Sequence, residues 1–481
     1  MHSMKKLNEL TIVEAARALR AREFSVQELW DACASAAKAR NPELNAFLEI
    51  FEADEVAIAA AQKRIDTEGD TAPMLCGIPL ALKDNILIEG HLVSAASKML
   101  ENYHASYDAT VITKLKAQGA LFLGRTNMDE FAMGSSTENS AFGPSKNPHD
   151  TGRVPGGSSG GSAVAVAAHL ALGAFGSDTG GSIRQPAAHT GLAGLKPTYG
   201  AVSRHGLIAM GSSLDQIGPL AKSIEDAKIL FDATRGEDVM DSTSIATDFY
   251  KLPAAGAKMR IGVPRHFLEK GIDADLLAAF EQTLTTLKAE GHTLVDVELP
   301  TSSFALPVYY VIMPAEVSTN LARLDGIRYG LAKRGDTLLS DYVESRTAGF
   351  GPETRRRVLL GTFVLSSGYI DAYYRKAHAA RAVLVAEYNA AFAKCDVIAF
   401  PTTPSPAFKF GEKTGDPVAM YLEDVFTVTA NLTGMPAISV PMGKVEREGK
   451  QLPVGIQFTA PHGGEERLFT IGKAVESSAV Y

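Results

Sequence analysis

Along most of the chain, short unbroken apolar runs alternate with longer stretches in helical pattern. That alternation predicts an α/β fold, a central sheet covered by helices on both faces. Apolar runs at 77–82, 120–123, 192–195, 206–210, 259–263, 292–299, 396–400, 437–441 and 454–459 suit buried strands, and helices are expected over 108–118, 223–234, 273–290, 366–394 and 465–477. Asp108 is the expected cap of the first of these and Gly119 its stop. The segment 421–432 is expected to hold structure between two strands. The first 65 residues read differently, as three helices. Thr11 with Glu14 and Ser25 with Glu28 form the capping box that opens a helix, Asn41-Pro42 predicts the end of the second, and an alanine-rich run predicts the third over 52–65. The polar, turn-rich stretch 236–256 interrupts the pattern, but strands and helices resume beyond it, so one domain over 1–481 is expected, with 1–65 as a helical N-terminal segment.

Composition narrows the class. With 46% apolar and 21% charged residues in 481, the chain is a well-packed globular protein. Its net charge of −8 argues against a broad basic surface, so nucleic-acid contact would be local or made by a partner. Three cysteines, Cys33, Cys76 and Cys395, lie far apart, which suits a reducing cytoplasm and offers neither a disulfide framework nor a metal knuckle. No apolar run follows the charged N-terminus and none approaches 18 residues, so neither a secretory signal nor a membrane span is predicted. No G-x-x-x-x-G-K-[ST] phosphate loop is present.

The most unusual stretch is GGSSGGSAVAVAAHLALGAFGSDTGGSIRQP at 156–186, two glycine-serine turns held apart by an apolar block, 163–172, long enough for a buried helix. Glycines serve where backbone approaches closely, and bare N–H groups in such turns line sites for negative charge, although two tight turns around a core helix would read the same way. Gly156-Gly-Ser-Ser-Gly160 satisfies G-x-S-x-G, which would make Ser158 the nucleophile of a Ser-His-Asp hydrolase, but the residues before it, 150–155, make a poor strand. Ser35-Ala-Ala-Lys38, Ser318-Thr-Asn320 and Lys413-Thr-Gly415 satisfy the S-x-x-K, S-x-N and K-T-G set of penicillin-recognising enzymes, but patterns this short recur by chance. Lys83, directly after the apolar run 77–82, is either a solvated strand end or an amine desolvated until it can act as a base.

GGSSGGSA at 156–163, GSDTGGSIRQPA at 176–187 and GLKPTYG at 194–200, with LKDN at 82–85 upstream, resemble the amidase signature family, which cleaves carboxamides with a Ser-Ser-Lys triad. NMDEFAMGSSTENSAFG at 127–143, SSLDQIGP at 212–219, MDSTS at 240–244, NLARLDGIRYG at 320–330, LSSGYIDAYYRKA at 365–377 and AISVPMG at 437–443 extend the likeness over almost the whole chain, toward the branch that hydrolyses glutamine for tRNA-dependent amidotransferases. The resemblance implies Ser182 as nucleophile, Ser158 as bridging serine after a cis peptide, and Lys83 as base. It implies an oxyanion hole from Thr179, Gly180, Gly181 and the Ser182 N–H. It implies glutamine as substrate, its α-carboxylate on Arg357, its α-amino group on Asp424, with Tyr309 lining the pocket and backbone from Met133 to Ser135 closing it. A surface basic cluster at 355–357 and a helix cap at Asp424 are the plainer readings of those residues. The branch further implies two partner subunits, B and C, a misacylated tRNA (Glu-tRNA(Gln) or Asp-tRNA(Asn)) held mainly by a partner, ATP and Mg used there, and no cofactor or metal on this chain. A stand-alone amidase acting on another carboxamide is the alternative; a third possibility is a scaffold that is catalytically silent. The chain departs from the family's usual wording at Val93-Ser-Ala-Ala-Ser-Lys98, and His189, after the signature, is expected to pack rather than catalyse.

Overall fold

A computed structural model describes residues 5–250, 252, 256–269 and 271–478. Within them the apolar runs become strands of one mixed sheet: β1 (Phe47–Ile50), β2 (Pro79–Lys83), β3 (Leu121–Thr126), β4 (Gly173–Asp178), β5 (Ala193–Lys196), β6 (Gln216–Ala221), β7 (Arg260–Val263), β8 (Thr293–Asp296), β9 (Val397–Pro401), β10 (Ala437–Arg447) and β11 (Lys450–Thr459). Their spatial order is β1-β3-β2-β4-β6-β5-β10-β11-β9-β7-β8. β2 runs parallel to both β3 and β4, and β7 is parallel to β8 and β9; the other pairings are antiparallel. β2, β4, β5, β6 and β9 are buried at every residue, as expected for strands covered on both faces.

Local chemistry moved several boundaries. The second helix runs Val26–Leu44 and carries Pro42 inside its last turn. Asn41 explains the difference: its side-chain amide exchanges two hydrogen bonds with the backbone of Phe47 (2.8 and 3.0 Å), tying the helix to β1, and left-handed Asn45 ends the turn. The third helix starts later than expected, at Glu55–Glu68, because the Phe51 N–H is still bonded to the Leu123 carbonyl of β3 and Asp54 caps the helix through the Ala57 N–H. Asp108 does not cap its helix, Thr110–Ala117; its carboxylate accepts from the Glu89 N–H and pairs with Lys116.

The apolar block at 163–172 divides. Its helix, Gly160–Ala167, stops before left-handed His169, and β4 begins at Gly173. The run 206–210 joins no strand and makes only an isolated bridge from Leu207 to Ile86. The single helix expected over 366–394 starts at Arg375–Phe392 behind a π turn, with Gly368 in the left-handed region separating it from Pro352–Leu365. Residues 251 and 253–255 of the turn-rich stretch, and 1–4 of the N-terminus, lie outside the described residues. No helix of the described residues is long and apolar enough to cross a membrane.

Candidate active site

Lys83 closes β2 and Asp178 closes β4, its parallel neighbour, so the segments following both strands leave the sheet on the same side. Ligands of α/β sheets gather at such carboxyl ends. The Lys83 amine is fully buried, with Ser158 Oγ at 2.7 Å, Ser159 Oγ at 2.9 Å, Ser177 Oγ at 3.0 Å and the Ser177 carbonyl at 3.2 Å. Burial pushes its pKa down to about 7 despite the neighbouring Asp129, Asp178 and Asp215. The amine therefore exists substantially as free base near neutrality. The plainer reading of Lys83 as a solvated strand end is excluded.

The peptide Gly157–Ser158 is cis. Gly157 has no room for a side chain: a Cβ there would lie 2.1 Å from Asp129 Oδ2. Its N–H donates to Gln185 Oε1 at 2.8 Å. The next residue but one, Ser159, donates its N–H to the Ser182 carbonyl at 3.1 Å, which joins the two glycine-serine turns directly. Of Lys83, Ser158 and Ser182, only Ser182 reaches solvent, with 7% of its surface exposed against none for the other two.

The Ser182 turn is built around Asp178. Its carboxylate accepts the N–H groups of Gly181 (2.9 Å) and Ile183 (3.1 Å), the Arg184 guanidinium (2.9 and 3.1 Å) and the Asn431 amide (2.9 Å). Burial opposes its ionisation, but Arg184 carries the pKa down to about 2. Gly181, expected to offer its N–H to substrate, has committed it to Asp178; the N–H groups of Thr179, Gly180 and Ser182 make no protein hydrogen bond among the described residues. Gly181 instead supplies shape, since at φ +138° an added Cβ would sit 2.3 Å from Thr427 Oγ1. Thr179 is held by its hydroxyl, which donates to Asp215 Oδ1 at 2.6 Å.

The expected pocket residues converge on the same place. Tyr309 lies against Gly180, where a Cβ would fall 2.6 Å from the phenol oxygen. Ser135 donates its hydroxyl to both oxygens of Asp424 at 3.0 Å, so the Asp424 side chain is no helix cap, and burial pushes its pKa up to about 7. Of the three consecutive arginines, Arg357 is the one turned inward, 4% exposed, with its Nε on Glu353 at 2.7 Å and its guanidinium over Tyr310 and Tyr421. Met133 is buried, and its carbonyl accepts from Asn139 at 3.0 Å. Gln185 carries no expectation from the sequence: it donates to the Ser135 carbonyl at 2.8 Å while holding Gly157, linking pocket loop to cis turn. Asn85, Ser159, Ser177, Asp178 and Arg184 likewise gain their roles only in the fold, although each lies within a motif that marks the family, Asn85 in LKDN, Ser159 in GGSSGGSA and the other three in GSDTGGSIRQPA.

The competing motifs do not assemble. Lys38 pairs with Glu52, Ser318 donates to the carbonyl of Ala315 on its own helix, and Lys413 pairs with Glu423. His189 is buried edge-on against Phe408, and burial pushes its pKa down to about 3, which keeps it neutral. Among the described residues no cluster of His, Cys, Asp and Glu could hold a metal ion.

The amidase family model matches residues 28–469. The chain belongs to the amidase family. This amidase is 51% identical over 473 residues to the A subunit of the glutamyl-tRNA(Gln) amidotransferase of Desulfatibacillum aliphaticivorans, a match covering 97% of this chain and 96% of that one. The crystal structure of the corresponding A subunit of the glutamyl-tRNA(Gln) amidotransferase from Thermotoga maritima superimposes with a TM-score of 0.82 at 40% identity, covering 100% of this chain and 97% of that one. A peptide amidase from Stenotrophomonas maltophilia is similar at 28% identity and a TM-score of 0.78, covering 98% of this chain and 96% of that one.

Proposed function

We propose that this amidase is the glutaminase component of a cytoplasmic tRNA-dependent amidotransferase, folded as one domain over its whole length. The observation that carries the chemistry is the buried Lys83 amine on Ser158 at 2.7 Å, beside the turn bearing Ser182. The full-length likeness to amidotransferase A subunits supports glutamine as the carboxamide.

Ser182, the one member of the triad that reaches solvent, attacks the side-chain amide carbon of glutamine; its proton passes to Ser158 as Ser158 gives its own to neutral Lys83. The developing oxyanion is received by the unengaged N–H groups of Thr179, Gly180 and Ser182, with Gly181 shaping the turn. Returning the proton through Ser158 releases ammonia and leaves a γ-glutamyl ester on Ser182. Water, deprotonated by the same relay, cleaves the ester to glutamate. Arg357 receives the α-carboxylate and Asp424 the α-ammonium group, with Tyr309, Ser135 and the Met133 backbone bounding the pocket. Ammonia passes to a B subunit, which binds Glu-tRNA(Gln) or Asp-tRNA(Asn) and activates its carboxylate with ATP and Mg; a small C subunit completes the complex.

Ser182→Ala in the reconstituted complex should abolish glutaminase activity and leave ammonia-dependent amidation intact. Persistence of both would remove Ser182 as nucleophile. Hydrolysis of simple amides by the isolated wild-type chain, with no stable partners, would point to a stand-alone amidase instead, and inactivity even within the complex to a scaffold.

A further inference from the structure

The surroundings of Lys83 hold more polar groups than a two-step proton relay requires. A neutral amine has two N–H bonds and one lone pair, and only the lone pair can take the Ser158 proton. Four oxygens lie within 3.2 Å of it. The Ser159 hydroxyl has one proton, and it is aimed at the Ser177 carbonyl at 3.1 Å. Toward Lys83, Ser159 can then only accept, which takes the first N–H. The second has the Ser177 hydroxyl and carbonyl as acceptors, and if the Ser177 hydroxyl instead turns its proton toward the amine, the lone pair has two hydroxyl protons competing for it.

Ser177 Oγ lies 3.0 Å from the Lys83 amine and 2.9 Å from the Asn85 amide. Asn85 places its nitrogen on Ser177, and its oxygen is buried without a partner. In that orientation the Ser177 proton has Lys83 as its nearby acceptor and competes with Ser158. A half-turn of the amide, which changes no shape, puts Oδ1 on Ser177 instead. Ser177 then donates to Asn85 and accepts from Lys83, and the lone pair is left to Ser158 alone.

We propose that Ser177 and Asn85 are positioning residues for the amide-cleaving relay, orienting the Lys83 amine so that its lone pair faces Ser158. The proposal rests on Lys83 being the base, as assigned above. Neither side chain hydrogen-bonds Ser182 among the described residues; they act on which way a proton can run.

The test is the pH profile of glutamine hydrolysis by the complex for Ser177→Ala and for Asn85→Asp, which keeps the shape of Asn85, beside Lys83→Met. Ser177→Ala should lower kcat about tenfold to a hundredfold with KM for glutamine unchanged, since a proton-transfer contribution is about 10²–10⁴ in all. It should also move the acidic limb of kcat/KM to lower pH, because the ammonium form loses an acceptor. Asn85→Asp should move that limb to higher pH, because an added anion favours the ammonium form. Opposite displacements at matched KM are not what packing defects produce. Loss of activity in Lys83→Met with unchanged kcat and limb in both other variants would overturn the positioning role alone. Retained activity in Lys83→Met would overturn the base assignment and the positioning role with it.

Discussion

Replacing Lys83 by methionine separates what the amine does for catalysis from what it does to the fold. An unfolded lysine titrates near 10.5, whereas the buried amine is pushed down to about 7. Between those values the unfolded chain binds the proton that the folded chain refuses, so stability rises with pH across that window. At pH 7 the penalty is about 4 kcal/mol and at pH 9 about 2 kcal/mol, each pH unit carrying ~1.4 kcal/mol. Methionine removes the penalty but leaves Ser158, Ser159 and Ser177 without the amine, at about 1 kcal/mol for each lost bond. Lys83→Met should therefore be inactive yet about as stable as the parent protein at pH 7. The sharper observable is a difference of differences. Urea unfolding of both proteins at pH 7 and pH 9 should show the parent gaining about 2 kcal/mol on the variant over that interval. A gap that stays constant within ~0.5 kcal/mol would mean that the buried amine keeps its proton up to pH 9 as the unfolded one does, and the free-base mechanism would fall with it.

Two further outcomes follow from the buried charges. Arg184→Met strands the Asp178 carboxylate and should cost about 3–5 kcal/mol in denaturant unfolding, whereas a loss under about 1 kcal/mol would show that Asp178 needs no counter-charge. Asp424, pushed up to about 7, must ionise to receive the α-ammonium group, so KM for glutamine should fall as pH rises from 6 to 8. Asp424→Asn should raise KM about tenfold or more and flatten that dependence, since a charged hydrogen bond is worth about 1.5–3 kcal/mol; an unchanged KM would place the amino group elsewhere.

The sheet and most of its strands were legible because buried strands leave unbroken apolar runs, as 77–82 and 396–400 do. β4 escaped for the opposite reason: GAFGSD is mostly glycine and polar residues, and it is a strand because β2 and β6 clamp it on both sides. The helical 300–375 region was mostly unread; Ala305–Asn320 is apolar nearly all round and carries Pro314, so it lacks the one-sided stripe that marks a helix. Lys83, Ser158 and Ser182 were visible through long motifs, and Arg357 and Asp424 through resemblance. What stayed hidden was the support behind them. Asn85, Ser177 and Gln185 lie inside the family motifs, but the motifs do not say what each one does; their importance is created by contacts 28 to 92 positions apart in the chain.

The span of Gln185 sets a limit on how this enzyme can be altered. One short amide braces the wall of the pocket at Ser135 and the cis turn at Gly157, so neither can be repositioned without dragging the other. Enlarging the cavity for a bulkier carboxamide by shifting the Ser135 wall would disturb the reacting hydroxyls at the same stroke. New specificity would come more readily at Tyr309, Tyr310 and Tyr421, where one ring pair packs edge-on and the other stacked, and where none of the three bonds to Gln185.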